Sequence, residues 1–237
     1  SHLTVASRAG QVGMSSTLGS VDVVACDVSD RREATEVICL SSVLSFEGVL
    51  HAAGGLQDRL LSAMCSFDLA YTFAPKALGA VHLHQATQVL RLQSCIYFSS
   101  IANTFGSIGQ ANYTSANAYL DSLAAHHLQS ALPSRSVQWP VISGAGMGEA
   151  FLRKGYGRAI ASIYTLDLEQ FAAVLLGILQ GAVTVSSMVV VLPNDCMIPP
   201  PTISDAPNPT VSSEAGGDNR SRDKLSEVSA SSELTED

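Results

Sequence analysis

The chain has 237 residues, 46% of them hydrophobic and 14% charged, which suits one globular domain with a sizeable core. A net charge of −8 excludes a basic nucleic-acid surface, and no apolar run reaches the ~18 residues of a membrane span. The five cysteines, at positions 26, 39, 65, 95 and 196, lack metal-ligand spacing and read as reduced core thiols of an intracellular, cytoplasmic protein. The acids concentrate in residues 201–237, where eight Asp and Glu face three Lys and Arg.

In chain order, residues 3–7 form a short apolar run closed by Arg8-Ala9-Gly10, and residues 21–26 form a second, closed by Asp27. Residues 31–44 follow a helical pattern. Residues 48–51 make a third strand that runs into Ala52-Ala53-Gly54-Gly55. A long helical region spans 67–92, with Pro75 as a point of local irregularity. Strand 95–99 leads through Ser100 and a loop with glycines at 106 and 109 into a helix over 112–129. A strand at 136–141, a glycine-rich segment at 144–157, a helix at 166–180 and a strand at 188–192 complete the pattern.

Strands separated by helical stretches imply βαβ units with right-handed crossovers. The fold class expected is therefore α/β, a Rossmann-type doubly wound parallel sheet, over residues 1–195. Residues 196–237, rich in Pro, Ser, Gly and acids, read as a disordered acidic tail or linker.

The chemistry-bearing stretch is Phe98-Ser99-Ser100 followed by Gly109-Gln110-Ala111-Asn112-Tyr113 and Asn117-Ala118-Tyr119-Leu120-Asp121. A serine at a strand's end and a Tyr/Asn pair four residues apart on the next helix converge on one polar spot. In an open α/β sheet, ligands sit at that end of the strands. The histidines do not compete for attention. His126 and His127 are adjacent and His82 and His84 are two apart, so each pair diverges on a helix, and no metal site is expected.

These motifs, with Ser7-Arg8, Cys26-Asp27-Val28, His51-Ala52-Ala53-Gly54, Lys76-Ala77-Leu78-Gly79 and Trp139, resemble the ketoreductase domain of modular type I polyketide synthases. That domain is a branch of the short-chain dehydrogenase/reductase superfamily, also found in animal-type fatty acid synthases. The resemblance covers roughly residues 2–193. It implies Tyr113, Ser100, Lys76 and Asn117 as catalytic residues, with the lysine upstream and an asparagine four residues after the tyrosine. It implies NADPH as cofactor, with Ser7, Arg8, Asp27, Val28, Ala52, Ala53 and Gly54 as the residues beside it.

Ketone reduction needs a hydride on carbon, a proton on oxygen and stabilisation of the charge between those events. A phenol is the proton donor, and an ammonium beside it, Lys76, is expected to favour the phenolate and lower its pKa. Ser100 donates a second hydrogen bond to the reacting oxygen. The role implied for Asn117 is to orient a water in a proton relay.

For substrate and stereocontrol the resemblance points to Asp58, Phe105 and Met147. Asp58 closes Leu56-Gln57-Asp58, where D-hydroxyl (B-type) members carry Leu-Asp-Asp. Phe105 stands where the opposite class has tryptophan. The balance favours the D-hydroxyl class.

Placed against the family, the chain begins at the second strand. The first strand and its glycine-rich turn are missing, so an interrupted sheet and weak NADPH binding are expected. Gly10 and Gly13 follow the wrong strand and do not replace that turn. The implied activity is NADPH-dependent reduction of a β-ketoacyl thioester on an acyl carrier protein, within a larger synthase. The alternatives are the same domain of a type I fatty acid synthase and a catalytically silent structural fragment.

Overall fold

The computed structural model describes residues 3–10, 21–41, 46–153, 165–180 and 188–191. The acidic tail, Gly13 and Tyr156 lie outside the described residues.

Two parallel strands open the fold, β1 (Leu3–Ser7) and β2 (Val21–Ala25), followed by helix α1 (Arg31–Ser41). Strand β3 (Gly48–His51) leads to helix α2 (Ser66–Phe73), a π-helical segment at Ala74–Leu78 and helix α3 (Gly79–Thr87). Strand β4 (Ser94–Ser100), the short α4 (Ala102–Phe105) and the long α5 (Ala111–Gln129) come next. Then follow β5 (Ser134–Trp139), β6 (Val141–Ile142), α6 (Gly146–Arg153), β7 (Thr165–Leu166), α7 (Leu168–Leu179) and β8 (Met188–Val190).

The main sheet is parallel, in the order β3-β4-β5-β8. Strand alternation sends the side chains of β4 to two separate cores. Cys95 and Tyr97 pack against Ala80 of α3 and against Leu120 and Ala124, which lie four apart on α5. Ile96 joins Val137, Trp139 and Val191 on the other face, where Ile178 of α7 covers them. Burial on both faces is why the strand reads as a continuous apolar run rather than as an alternating one.

The sheet is interrupted, as expected. Among the described residues, β1–β2 form one sheet, β3-β4-β5-β8 a second and β6–β7 a small third, with no ladder joining them. Side chains that a closed parallel sheet covers are open here, with Leu3 49% and Leu50 44% exposed. The strand pair is held to the helical layer instead. Val28 O accepts from His82 Nδ1 at 3.2 Å, and a Cβ on Gly79 would stand only 2.8 Å from Val28 Cγ2, so glycine is required at this crossing.

The cysteines divide. Cys26 and Cys95 are buried, whereas Cys39 and Cys65 are exposed, which corrects the expectation of core thiols for those two. Cys39 lies on the outward side of α1. Cys65 caps α2, its thiol donating to Asp68 Oδ2 at 3.1 Å.

Candidate functional site

Ser99 and Ser100 close β4 and point in opposite directions. Ser99 follows Cys95 and Tyr97 toward α5, where its Oγ donates to Asn117 O at 3.4 Å. Ser100 follows Ile96 and Phe98 and lines a cavity of about 480 Å³. Its Oγ accepts from the Ala102 amide at 3.2 Å, and its hydroxyl also bonds to the Tyr113 side chain.

Tyr113 enters the same cavity from the first turn of α5. Asn117, one turn later, is fully buried, and its Nδ2 donates to Tyr113 O at 2.8 Å. Its Oδ1 is buried without a hydrogen-bond partner, an open acceptor at the site's edge.

Lys76 arrives through the π-helical segment. Pro75 has no N–H to continue the ladder and would crowd a regular turn, and the helix widens so that Gly79 N–H reaches Ala74 O. The irregularity expected at Pro75 is thus a π turn. Lys76 O accepts from that same Gly79 N–H and also meets the side chain of His51, whose Nε2 approaches at 2.9 Å. Burial pushes His51 down to about 4, so the ring is neutral at pH 7 and must carry its proton on Nε2 to donate to that carbonyl. The Lys76 side chain is 2% exposed, and its Nζ donates to Phe98 O at 2.8 Å, just short of Ser100.

The electrostatics differ from expectation at one point. Burial lowers Lys76 to about 8, with the Asp121 carboxylate pulling the other way. Tyr113 is raised above its ordinary value: burial dominates, the Ser100 and Asn117 hydrogen bonds pull it down, and the Asp58 charge adds to the rise. An ammonium that lowers the phenol was expected. Lys76 instead lies over the ring face, 5.3 Å from the centroid, so its charge does not offset the desolvation.

The loop carrying Asp58 is zipped to the turn before Tyr113. Arg59 N donates to Gly109 O at 2.7 Å, Gln110 Nε2 to Asp58 Oδ1 at 3.0 Å, and Asn112 Nδ2 to Gln57 O at 2.9 Å. Gln110 and Asn112 gave no separate signal in the sequence beyond their place in the motif, because their role depends on a loop more than 50 residues away. Phe105 and Met147 line the cavity beside Ser100 and Tyr113, whereas Asp58 acts on it through Gln110. The glycine-rich segment contains α6, which contributes Met147 and Phe151 to the wall.

The residues read as cofactor contacts stand at the carboxyl ends of β1, β2 and β3. Arg8 is exposed just after β1, and its charge helps hold Asp27 below the usual carboxylate range, behind the larger effect of the Ser29 hydroxyl. Ser7 O accepts from Gly10 N and Cys26 N, which fixes the turn. Val28 packs toward Gly79 and away from the cavity. Ala52 lines the cavity, and a Cβ on Gly54 would lie 3.1 Å from Lys76 Cε and 3.3 Å from Met147 Cε. The structure therefore brings Ser100, Tyr113, Lys76, Asn117, Ala52 and Gly54 together and leaves Ser7, Arg8, Asp27 and Val28 on the neighbouring strand pair.

The KR domain profile matches residues 3–144. The spectinabilin polyketide synthase system protein NorB of Streptomyces orinoci is 40% identical over 154 residues, which is 62% of this chain and 7% of that protein. Mycoketide-CoA synthase of Mycobacterium tuberculosis is 40% identical over 120 residues, 50% of this chain and 3% of that one. Among solved structures, an A1-type ketoreductase superposes with a TM-score of 0.71 at 26% identity, covering 81% of this chain and 42% of its own. The first ketoreductase of the tylosin synthase gives 0.61 at 30% identity, covering 74% and 37%. The chain spans a small part of the curated relatives and under half of each of these two structures. No helix among the described residues is long and apolar enough to cross a membrane. With the profile matched over more than half its length and a parallel α/β sheet like that of the solved ketoreductases, the chain belongs to the KR domain family, the ketoreductase domains of polyketide synthases.

Proposed function

We propose that this domain reduces a β-ketoacyl thioester, carried by an acyl carrier protein, to the β-hydroxyacyl thioester in polyketide biosynthesis, with NADPH as the reductant. The observation that carries the reading is the convergence of Ser100, Tyr113 and Lys76 on one cavity, with the buried Asn117 Oδ1 behind them.

A reduced nicotinamide supplies the hydride, which no side chain can. The fit is good at the two ends of such a cofactor. Ala52 lines the cavity with Lys76 and Tyr113, and Arg8 offers an exposed guanidinium for a 2′-phosphate next to Asp27. Among the described residues no glycine-rich turn follows a strand to cradle a pyrophosphate between those ends.

The side chains divide the work on the ketone oxygen. Ser100 turns its hydroxyl proton from Tyr113 to that oxygen as a hydrogen bond. Tyr113, kept protonated by burial, is the general acid that passes its proton to the oxygen as charge develops there. The phenolate left behind is stabilised by the Asn117 hydrogen bond that already acts on Tyr113, and by Lys76. A water between Lys76 and Asn117 Oδ1 would satisfy the open acceptor and return a proton to Tyr113.

We infer the D-hydroxyl product from Asp58 and Phe105, and partners in the acyl carrier protein and the other domains of the synthase. The identity of the relatives supports polyketide over fatty acid assembly. The test is NADPH oxidation with a diketide thioester, with the product hydroxyl resolved by chiral chromatography. Turnover giving the D product supports the reading, and turnover giving the L product overturns the stereochemical assignment alone. Absence of turnover, even with the thioester on a carrier protein, favours the structural role that the interrupted sheet suggests.

A further inference from the structure

We propose that Asp121 is a positioning residue of this site: its carboxylate ties α4, α5 and β5 into one unit, which sets Ser100 against Tyr113. The proposal rests on the reductase reading for its kinetic part only.

Tyr113, Asn117 and Asp121 stand at i, i+4 and i+8 on α5 and so share one helix face. Asp121 Oδ2 accepts from Asn103 Nδ2 of α4 at 2.7 Å and from Gln138 Nε2 of β5 at 2.7 Å. Its Oδ1 accepts from Ser136 Oγ of β5 at 2.5 Å. Gln138 closes the circuit, its Oε1 accepting from Thr104 Oγ1 of α4 at 2.6 Å.

The circuit matters because of what each element carries. Helix α4 begins two residues after Ser100, and its first amide, Ala102 N, holds the Ser100 Oγ. Helix α5 carries Tyr113 and Asn117. The strand β5 lies beside β4, with Ser100 paired in register to Trp139. A rotation of α4 against α5 would therefore carry the serine away from the tyrosine, and Asp121 of α5 is the group bonded both to α4 and to β5. The carboxylate also provides the one favourable charge identified at the buried Lys76.

The experiment uses the full chain, in which Lys76, Lys154 and Lys224 are the only lysines, so a lysine side-chain NMR titration resolves Lys76 directly. Asp121→Asn keeps the shape, but its amide nitrogen cannot accept, so at least one of the three donors loses its partner. The Lys76 midpoint, about 8 in the native chain, should move to lower pH. The alkaline limb of kcat should move with it, and kcat should fall about 100-fold, the usual cost of displacing a group by ~1 Å, at unchanged KM for NADPH.

Asn103→Ala removes one tether and keeps the charge. It should lower kcat without moving the Lys76 midpoint, and it decides the matter if Asp121→Asn does not fold. A folded Asp121→Asn chain whose Lys76 titration and kcat overlay the native ones overturns the proposal, as does an Asn103→Ala chain with native kcat. A native chain that turns over no thioester overturns the reductase reading and leaves the Lys76 titration to decide the role of Asp121.

Discussion

The Lys76 ammonium lies over the face of the Tyr113 ring, 5.3 Å from its centroid, while its Nζ donates to Phe98 O at 2.8 Å. The cation is thus attracted to the ring face and to a backbone dipole rather than paired with a carboxylate. The π turn at Ala74–Leu78 is what sends the side chain inward, and the Gln110 and Asn112 hydrogen bonds are what fix the tyrosine opposite it.

This arrangement makes the pH dependence of reduction a property of Lys76. Below about 8 the lysine is charged and can stabilise the phenolate that forms as Tyr113 gives up its proton. Tyr113 itself, raised above its ordinary 10, remains protonated throughout. Turnover with NADPH should hold steady up to about pH 8 and decline above it as the ammonium is lost. Values of kcat measured from pH 6 to 10 check this, and a profile flat through pH 9.5 contradicts it.

Removing the acid and the donor separately should give different losses. Tyr113→Phe keeps the ring over which Lys76 sits and deletes only the hydroxyl. It should lower kcat by about 10²–10⁴, the range of general acid catalysis, with the melting temperature unchanged. Ser100→Ala removes one hydrogen bond to the reacting oxygen and also the acceptor for Ala102 N, and a loss of about 10²–10³ in kcat is expected. Steady-state kinetics on the two variants, with calorimetry as the fold control, makes the comparison. A Tyr113→Phe variant with native kcat would rule out the assignment.

The order of strands and helices was legible from apolar runs alone, since β4 and α5 are buried on predictable faces and punctuated by Ser100 and Gln110. Ser100, Tyr113, Lys76 and Asn117, proposed here as catalytic, were named through the family motifs, Lys76 lying far upstream of the other three. What local pattern could not show was anything that depends on contacts distant along the chain. Gln110 matters because Asp58 is folded beside it, and Asp121 because Ser136 and Gln138 of a later strand face it. The sign of the Tyr113 shift failed for the same reason. It depends on where the ammonium sits relative to the hydroxyl, and spacing in sequence carries no information on that. Helix α6 was hidden because the glycines at 146 and 148 in its first turn, with Gly144 just before it, mask the helical pattern between Met147 and Arg153.

Burying Lys76 should reduce stability, and Lys76→Met should reveal by how much. The lysine titrates at 10.5 when exposed and at about 8 in the fold. Between these values the unfolded chain binds more protons, so the penalty is fully present below about pH 8 and disappears as pH rises toward 10.5. A depression of this size corresponds to about 3 kcal/mol, and the lost hydrogen bond to Phe98 O returns about 1. Lys76→Met should therefore be about 2 kcal/mol more stable than the native chain at pH 7, with the gain shrinking above pH 8, while losing most of its activity. Urea denaturation at pH 7 and pH 10 measures the difference. A variant less stable at pH 7 than the native chain would show that the ammonium is compensated in the fold.

The two separate sheets predict how the chain responds to an added strand. β1 and β3 each have an edge that pairs with no strand among the described residues, and their carboxyl ends carry Arg8 on one side and Ala52 to Gly54 on the other. A parallel strand laid between them would join both ladders, cover Leu3 and Leu50, and place a turn between the two halves of the proposed cofactor site. Fusing a strand with a glycine-rich turn ahead of residue 1 should raise the melting temperature and tighten NADPH binding by at least 10-fold, since backbone N–H groups at such a turn hold the pyrophosphate. Fluorescence titration of the 237-residue chain and of the fusion compares the two directly. Equal affinity would mean that these residues bind NADPH without a joined sheet, and the placement of Arg8 at the 2′-phosphate would then have to be abandoned.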